Sequence, residues 1–496
     1  FRMTAGGETT LALAGFPSID FNGCFVYMKN YDHSCTEQIS ARGISMLSLL
    51  GLLSDENAAQ VPGLVKELLS ELYVRQLPDG GFAFWPGMAA ADEWVTSMAG
   101  HFMVLAENKG YEVNGGVMSA WRNFQKNCVR SWRSSGTNDF SDLVQAYRLY
   151  TLALASSPET GAMNRMKESG TISGQAQWRL AAAYCLIGKP GIAGEMISGL
   201  KTAVSDYSAS NVTYGTPLRD KAMMLETLVL TGDMAGAMRM AGEVADGFSS
   251  QGGYTTQTAA FASVAMGRLA EETATGAIRA EIIESTAANG GGDGTSAKRT
   301  VEKASATYSC TLSGSADAAE IRNLSGGPLF VTMTSTHVPP AGTEVKPRSS
   351  GLEMNISWTD TGGNPVNPHI LAQGTDFRAA ITVSNVSGTT DFTDLALTFP
   401  VPSGWEISNE RALAGPAEQQ PLYAGQDSGQ YDYLDVRDDR AVFYFGLAAG
   451  SRKKFTVRLR AAYEGNFTLP AASCVMMYDP SVSANTGSGS ATVTGQ

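Results

Sequence analysis

The sequence predicts a multidomain chain, an (α/α)6 toroid of paired helices followed by an antiparallel β-sandwich. Three observations carry this. Apolar residues keep helical spacing from about Cys35 to about Ser285. Within that stretch the helical segments come in pairs that repeat at intervals of roughly 40 residues, as in closed or stacked helical arrays. After Gly290-Gly291-Gly292-Asp293-Gly294, a linker by composition, the periodicity becomes two.

The 496 residues suffice for two or three domains. Charged residues make up only 17 %, the net charge is −12 and no basic block stands out, so nucleic acid is not an expected partner. The longest apolar run, around Ile44 to Leu53, is too short and too interrupted to cross a membrane. No signal peptide or initiator Met is visible at Phe1. An interior start such as Phe1-Arg2-Met3-Thr4 is expected of a fragment of a longer protein, with any export signal upstream.

In chain order, residues 1–20 alternate weakly at Leu11 and Leu13 and read as one or two strands. Ile39 to Leu53 is apolar nearly all round, as an enclosed helix should be. Val61, Leu64, Val65, Leu68, Leu69 and Leu72 instead form one amphipathic stripe. Further helices are expected to begin near Asp92, Gly116, Ser141, Glu159, Ser173, Gly191, Thr216, Asp233, Tyr254 and Thr275. Leu186-Ile187-Gly188-Lys189-Pro190 and Leu230-Thr231-Gly232-Asp233 read as stops. That gives about twelve helices, or six hairpins, which can close into a toroid with inner helices around a core and outer helices facing water. Beyond the linker, Leu352, Met354, Ile356 and Trp358 alternate, as do Phe377, Ala379, Ile381 and Val383, and Phe455, Val457 and Leu459. Separated by Gly, Pro, Asn and Asp turns, these are the strands of a sandwich. The domain boundaries expected are 1–20, 21–288 for the toroid, 295–348 for further strands, and 349–496 for the sandwich.

The chemistry is expected at Tyr31-Asp32-His33-Ser34-Cys35-Thr36-Glu37-Gln38, which runs into the enclosed helix. Cys and Gln three positions apart in a first helical turn share a face. The Cys35 thiol can therefore reach the Gln38 carboxamide, and displacement of ammonia would leave an internal thioester. The alternative is a plain helix N-terminus with an unreacted thiol. A first-turn carboxylate such as Glu37 is most simply a helix-dipole partner, with a part in forming the bond as the other reading. The other cysteines, Cys24, Cys128, Cys185, Cys310 and Cys474, show no metal or disulfide spacing. Cys128 and Cys185 read as buried thiols. Cys35 differs because it starts a helix, where the dipole favours thiolate. His33 is expected to point out of its loop and His101 to be a satisfied core residue. Asp435, Asp438 and Asp439, interleaved with Arg437 and Arg440, read as a surface ion-pair network and not as a metal site. No metal and no cofactor is expected.

Ser34-Cys35-Thr36-Glu37-Gln38 resembles the Gly-Cys-x-Glu-Gln motif of the α2-macroglobulin and complement thioester-protein family, in its bacterial branch, with Ser34 in place of the Gly. Leu77-Pro78-Asp79-Gly80-Gly81-Phe82, Trp85 and Trp94-Val95-Thr96 resemble its next landmark. Pro402-Ser403-Gly404-Trp405-Glu406, Asp435 to Arg440 and Met477-Tyr478-Asp479 resemble its terminal β domain. The resemblance implies that the toroid is the thioester domain, inserted in a partial, CUB-like β module made by residues 1–20 and 295–348, with a macroglobulin-like sandwich behind it. It implies that Trp85, Met477 and Tyr478 shield the thioester. Some members carry a catalytic His in a segment corresponding to Ser134-Ser135-Gly136-Thr137-Asn138-Asp139. That segment has none here, so direct attack by amines such as lysine is expected.

By resemblance, the parent would be a periplasmic protease inhibitor, anchored to the membrane outside this fragment. It would act with its own upstream macroglobulin domains and trap proteases in a single turnover, so it is not an enzyme. Two alternatives stand beside this. One is a scaffold or binding protein without a thioester. The other is a toroid enzyme acting on prenyl or glycan substrates, since Gln76, Asp79, Gly80, Gly81, Phe82 and Trp85 loosely resemble terpene-cyclase repeats. Such enzymes need an acidic cluster in the cavity, and no Asp-rich helix motif is present.

Overall fold

The computed structural model describes residues 1, 8–134, 140–207, 212–249, 254–273, 277–286, 295–336, 343–408 and 431–495. The chain divides into two compact units, Phe1–Val338 and Pro339–Gln496. The linker expected at 290–294 and most of the His-less segment, 135–139, fall outside the described residues.

The helices of the first unit are α1 (Phe21–Lys29), α2 (Thr36–Leu49), the one-turn α3 (Asp55–Ala58), α4 (Val61–Tyr73), α5 (Glu93–Asn108), α6 (Gly115–Ser131), α7 (Ser141–Leu154), α8 (Thr160–Glu168), α9 (Gly174–Leu186), α10 (Pro190–Ile197), α11 (Pro217–Thr231), α12 (Met234–Ser249) and α13 (Thr256–Thr273). Their starts follow capping chemistry. The side chains of Asp20, Asp92, Asn114, Ser173 and Thr216 each accept a first-turn N–H, and Pro190 and Pro217 occupy positions that need no donor.

Six of these helices form a closed inner ring: α2 packs on α5, α5 on α7, α7 on α9, α9 on α11, α11 on α13, and α13 back on α2. Outside it, α1, α4, α6, α8, α10 and α12 each lie against two inner neighbours. Burial follows the sequence pattern. On α4 only the stripe Val61, Val65, Leu68, Leu69 and Leu72 is buried, whereas α13 is buried on all sides from Thr256 to Gly267. Inner and outer helices alternate along the chain, so the inner ones all run the same way and their N-termini gather at one mouth.

One expectation fails here. In place of the helix expected from near Thr275, Ile278–Thr286 is a strand, and the last inner helix ends at Thr273. Ile278, Ala280 and Ile282 are buried alternately, and the β-branched isoleucines suit a pleated surface. This strand pairs with Thr295–Lys303 and Ala318–Asn323, while Glu8–Ala14 pairs with Thr307–Thr311 and Phe330–Thr336. The two small sheets share a core of Leu11, Leu13, Ile278, Ala280, Ile282, Val301, Leu312 and Ala319.

The second unit is a sandwich. One sheet runs Trp405–Ile407, Arg452–Ala461, Asp376–Asn385, Leu352–Asp360. The other runs Tyr433–Val436, Arg440–Leu447, Phe392–Pro400, Ser473–Met476, Asp479–Asn485, Arg348–Ser350. Every pairing in these two sheets is antiparallel. Parallel pairing does occur in a small third sheet, where Gly489–Thr494 lies beside Ile370–Ala372, and at the isolated Gly351–Ser483 bridge. Phe377, Ala379, Ile381 and Val383 point inward as expected, and Phe455 stacks near Phe443 and Phe445 at 4.8 and 4.6 Å. Arg437 and Arg440 pair with Asp435 and Asp439 at 2.9 and 2.8 Å on the surface.

Two details of the toroid set its stability. A Cβ on Gly43 of α2 would stand 2.2 Å from the Phe102 ring of α5. Alanine is the better helix former by about 1 kcal/mol, but overpacking costs about 1–3 kcal/mol. Gly43→Ala is therefore expected to lower the urea midpoint; an unchanged or higher midpoint would mean that the two helices can part. Inside the ring, Glu226 accepts from Arg179 at 2.6 Å, Arg268 at 2.9 Å and the Tyr150 hydroxyl at 2.6 Å. Burial pushes the Glu226 carboxyl up, but Arg179 and Arg268 outweigh it and hold it at about 2. A depressed carboxyl contributes stability that is lost as pH falls from its ordinary 4.5 toward about 2. Glu226→Gln, which strands the buried Arg179, is expected to cost about 3–5 kcal/mol at neutral pH and to flatten that acid limb. Urea titrations across this pH range read both effects.

Candidate thioester site

Tyr31 to Cys35 carries no regular secondary structure, and Cys35, extended at φ −66° and ψ 167°, is the N-cap of α2. The Cys35 N–H donates to Oε1 of Gln38 at 2.9 Å, and the pair forms a capping box in which cysteine stands where serine or threonine is usual. The Gln38 carboxamide thus folds back over the residue that supplies the sulfur. Cys35, Thr36, Glu37 and Gln38 are all wholly buried. None of the six cysteines is in a disulfide. Ser34 is not among the non-glycine residues with positive φ, so its backbone demands nothing that serine cannot give.

The Leu77 to Trp85 landmark folds against this turn. Gly80, at φ +94°, closes a tight loop where a Cβ would stand 2.3 Å from the Ala120 carbonyl oxygen. The loop presents Phe82, Ala83, Phe84 and Trp85, all buried. The Thr36 N–H donates to the Phe84 carbonyl at 3.0 Å, and its hydroxyl donates to the Ala83 carbonyl at 2.6 Å. Trp85 lies edge-on to Phe84 with ring centres 5.5 Å apart. The structure therefore brings Cys35, Gln38 and the Phe84–Trp85 turn together within the first unit.

Glu37 does more than face its own helix dipole. Its Oε2 accepts the hydroxyl of Thr256, the first residue of α13, at 3.0 Å. The carboxylate sits where the N-termini of two inner helices meet, both of which favour negative charge. Met477 and Tyr478 belong to the second unit, buried in the turn after Ser473–Met476, where the Met477 N–H donates to the Asp394 carbonyl at 3.0 Å.

His33 departs from expectation. It is buried and lies edge-on to Tyr31 at 5.5 Å, in an aromatic group with Tyr27 and Tyr254. His101 faces the inside of the ring, with Nδ1 3.0 Å from the Tyr147 hydroxyl. Burial drives its pKa down to about 3 against the pull of Glu226, so it is neutral at physiological pH. Sequence reasoning missed Thr36, Phe84, Thr256 and Tyr214, whose 2.7 Å bond to Asp92 spans 122 positions of chain. No local pattern announces such contacts; only the capping residues Asp92 and Thr216 mark which turns meet at the mouth.

Residues 351–481 match the bacterial alpha-2-macroglobulin MG10 domain. The chain is 23 % identical over 506 aligned residues to an alpha-2-macroglobulin homolog of Yersinia pestis, covering 94 % of this chain and 24 % of that protein. It is 24 % identical over 508 to the alpha-2-macroglobulin of Xylella fastidiosa, covering 96 % and 29 %. It therefore spans about a quarter of the length of these curated relatives. Native alpha-2-macroglobulin from Escherichia coli, solved from domain MG7 to the C-terminus, superposes with a TM-score of 0.78 at 19 % identity, over 99 % of this chain and 78 % of that one. Salmonella alpha-2-macroglobulin reacted with methylamine gives 0.79 at 21 %, over 99 % and 32 %. At those identities the structural likeness is one of fold. Along nearly all of its length, this chain is similar to bacterial alpha-2-macroglobulins.

Proposed function

We propose that the chain is the thioester-bearing part of a bacterial protease trap. The observation that carries this reading is the 2.9 Å contact between Gln38 Oε1 and the Cys35 N–H, in a wholly buried Cys-x-x-Gln turn at a helix N-terminus. In ring formation the Cys35 sulfur adds to Cδ of Gln38, the amide C–N bond breaks, and ammonia leaves with the thiol proton. The Cys35 N–H already placed on Oε1 is positioned to hold the negative charge that develops there. In trapping, a lysine amine adds to the same carbon and the C–S bond breaks. The sulfur departs as thiolate, favoured by the helix N-terminus, and takes the amine proton. Each site reacts once, so the chain is an inhibitor and not an enzyme.

The bait segment, the upstream macroglobulin domains and any membrane anchor would belong to other parts of a longer periplasmic protein. The relatives' greater length supports that reading. No helix among the described residues is long and apolar enough to cross a membrane. Shielding from water falls to the Phe84–Trp85 turn, and the resemblance assigns the same duty to Met477 and Tyr478. A second reading, a scaffold without a thioester, draws on the capping box itself, because that hydrogen bonding alone accounts for the Cys35–Gln38 pair. A toroid enzyme is disfavoured by the occupation of its interior carboxylates: Glu226 is held by Arg179 and Arg268, and Asp220 by Arg219 at 2.8 Å.

Methylamine treatment separates these readings. The trap reading expects one methylamine on Gln38, release of the Cys35 thiol in equal amount, and neither event in Cys35→Ala. An intact Gln38 amide with a titratable Cys35 in untreated protein would favour the scaffold. Trp85→Ala is expected to leave the fold in place and to speed spontaneous loss of the thioester, followed as thiol appearance over time; an unchanged rate would remove Trp85 from the shield.

A further inference from the structure

The toroid mouth carries a brace that this chemistry does not yet use. Residues 213–215 precede α11. The Thr213 carbonyl accepts from Nη1 of Arg219 at 3.2 Å and from Nε2 of Gln257 at 2.9 Å. Gly215 lies so close to the Arg219 guanidinium that a Cβ would stand 1.9 Å from Nη2. The segment is thereby pinned to the first turns of α11 and α13. Tyr214 itself sits in the left-handed region at φ +50°, which costs a non-glycine residue about 1–3 kcal/mol and persists only where surroundings enforce it.

What that backbone turn achieves is a span across the ring. The buried Tyr214 ring packs on Phe84 with centres 5.0 Å apart, and its hydroxyl donates to Oδ2 of Asp92 at 2.7 Å. Asp92 is the N-cap of α5 and accepts the Val95 N–H at 2.8 Å with its other oxygen. Phe84, in turn, accepts the Thr36 N–H through its carbonyl. One tyrosine therefore joins the start of α11 to that of α5, which lies opposite it in the ring, and through Phe84 to that of α2.

We infer that Tyr214 is a positioning residue of the thioester site. It braces the Phe84–Trp85 turn against the toroid mouth and so sets how readily water reaches the acyl carbon of Gln38. The inference rests on the thioester reading. The reaction that it restrains is hydrolysis: water adds to the acyl carbon, the C–S bond breaks, Gln38 is left as a carboxylic acid and Cys35 regains a thiol proton.

Two variants divide the brace. Tyr214→Phe keeps the ring on Phe84 and deletes the bond to Asp92, whereas Tyr214→Ala removes both. Freshly purified proteins are followed by mass for gain of water and, in a parallel arm, for capture of methylamine. Loss of one hydrogen bond is expected to raise hydrolysis in Tyr214→Phe by about 2- to 10-fold, with only a small drop in the unfolding midpoint and the protein still fully folded under the assay conditions. Tyr214→Ala rises further, and capture at saturating methylamine changes less than hydrolysis in both. Wild-type hydrolysis rates in the variants overturn the inference, as does a rise that merely tracks a lower unfolding midpoint. If Tyr214→Ala fails to fold, Tyr214→Phe decides alone. A wild-type protein that holds no thioester overturns the underlying reading together with this inference.

Discussion

The closed ring of parallel inner helices is the constraint on which everything else depends. Because consecutive inner helices are joined through antiparallel outer ones, six positive helix ends collect at one mouth of the toroid. That concentration of N–H groups and dipoles suits the carboxyl groups found there, buried at Glu37 and Asp220 and half-buried at Asp92. Glu37 lies between the ends of α2 and α13, Asp92 caps α5, and Asp220 lies in the first turn of α11 beside Arg219. On the proposed thioester reading, it also favours departure of the Cys35 sulfur as an anion. Fold and chemistry meet in a single property, the direction of the helices.

On the proposed reading, the ring must also be dry if an activated acyl group is to survive there. The interior is filled by Trp94, Tyr147, Tyr150 and Phe261, with Arg179 stacked 3.5 Å above Tyr150 and Arg219 4.7 Å above Trp94. Cation–π contacts and the Glu226 pairing make these charges tolerable inside. At the mouth lie two short segments that precede helices, the Phe82–Trp85 turn and the Thr213–Gly215 brace. Their anchors are backbone carbonyls and capping residues, so the cover and the helix starts stabilise one another.

Much of this was legible in the residues. Helix starts could be placed within a residue or two because Asp92, Ser173 and Thr216 are capping residues whose function is local. Cys35 and Gln38 were legible for the same reason: their spacing alone puts them on one helical face. The strand from Ile278 was misread because Ala277, Ile278, Ala280, Ile282 and Ile283 satisfy a helical period as well as an alternating one, and only pairing with Thr295–Lys303 and Ala318–Asn323 decides between them. His33 was placed in solvent because nothing local shows that Tyr27, Tyr31 and Tyr254 converge on its loop. Tyr214 and Glu226 were out of reach for the same physical reason, since each acts through partners tens to hundreds of positions away.

The account stands or falls on a bond between two atoms. The measurement that addresses it most directly is an atomic-resolution crystal structure of the unreacted protein, inspected at the start of α2. The account predicts continuous density from Sγ of Cys35 to Cδ of Gln38, beneath an ordered Phe84–Trp85 turn. Separate side chains, with an intact Gln38 carboxamide still hydrogen-bonded to the Cys35 N–H, would contradict it.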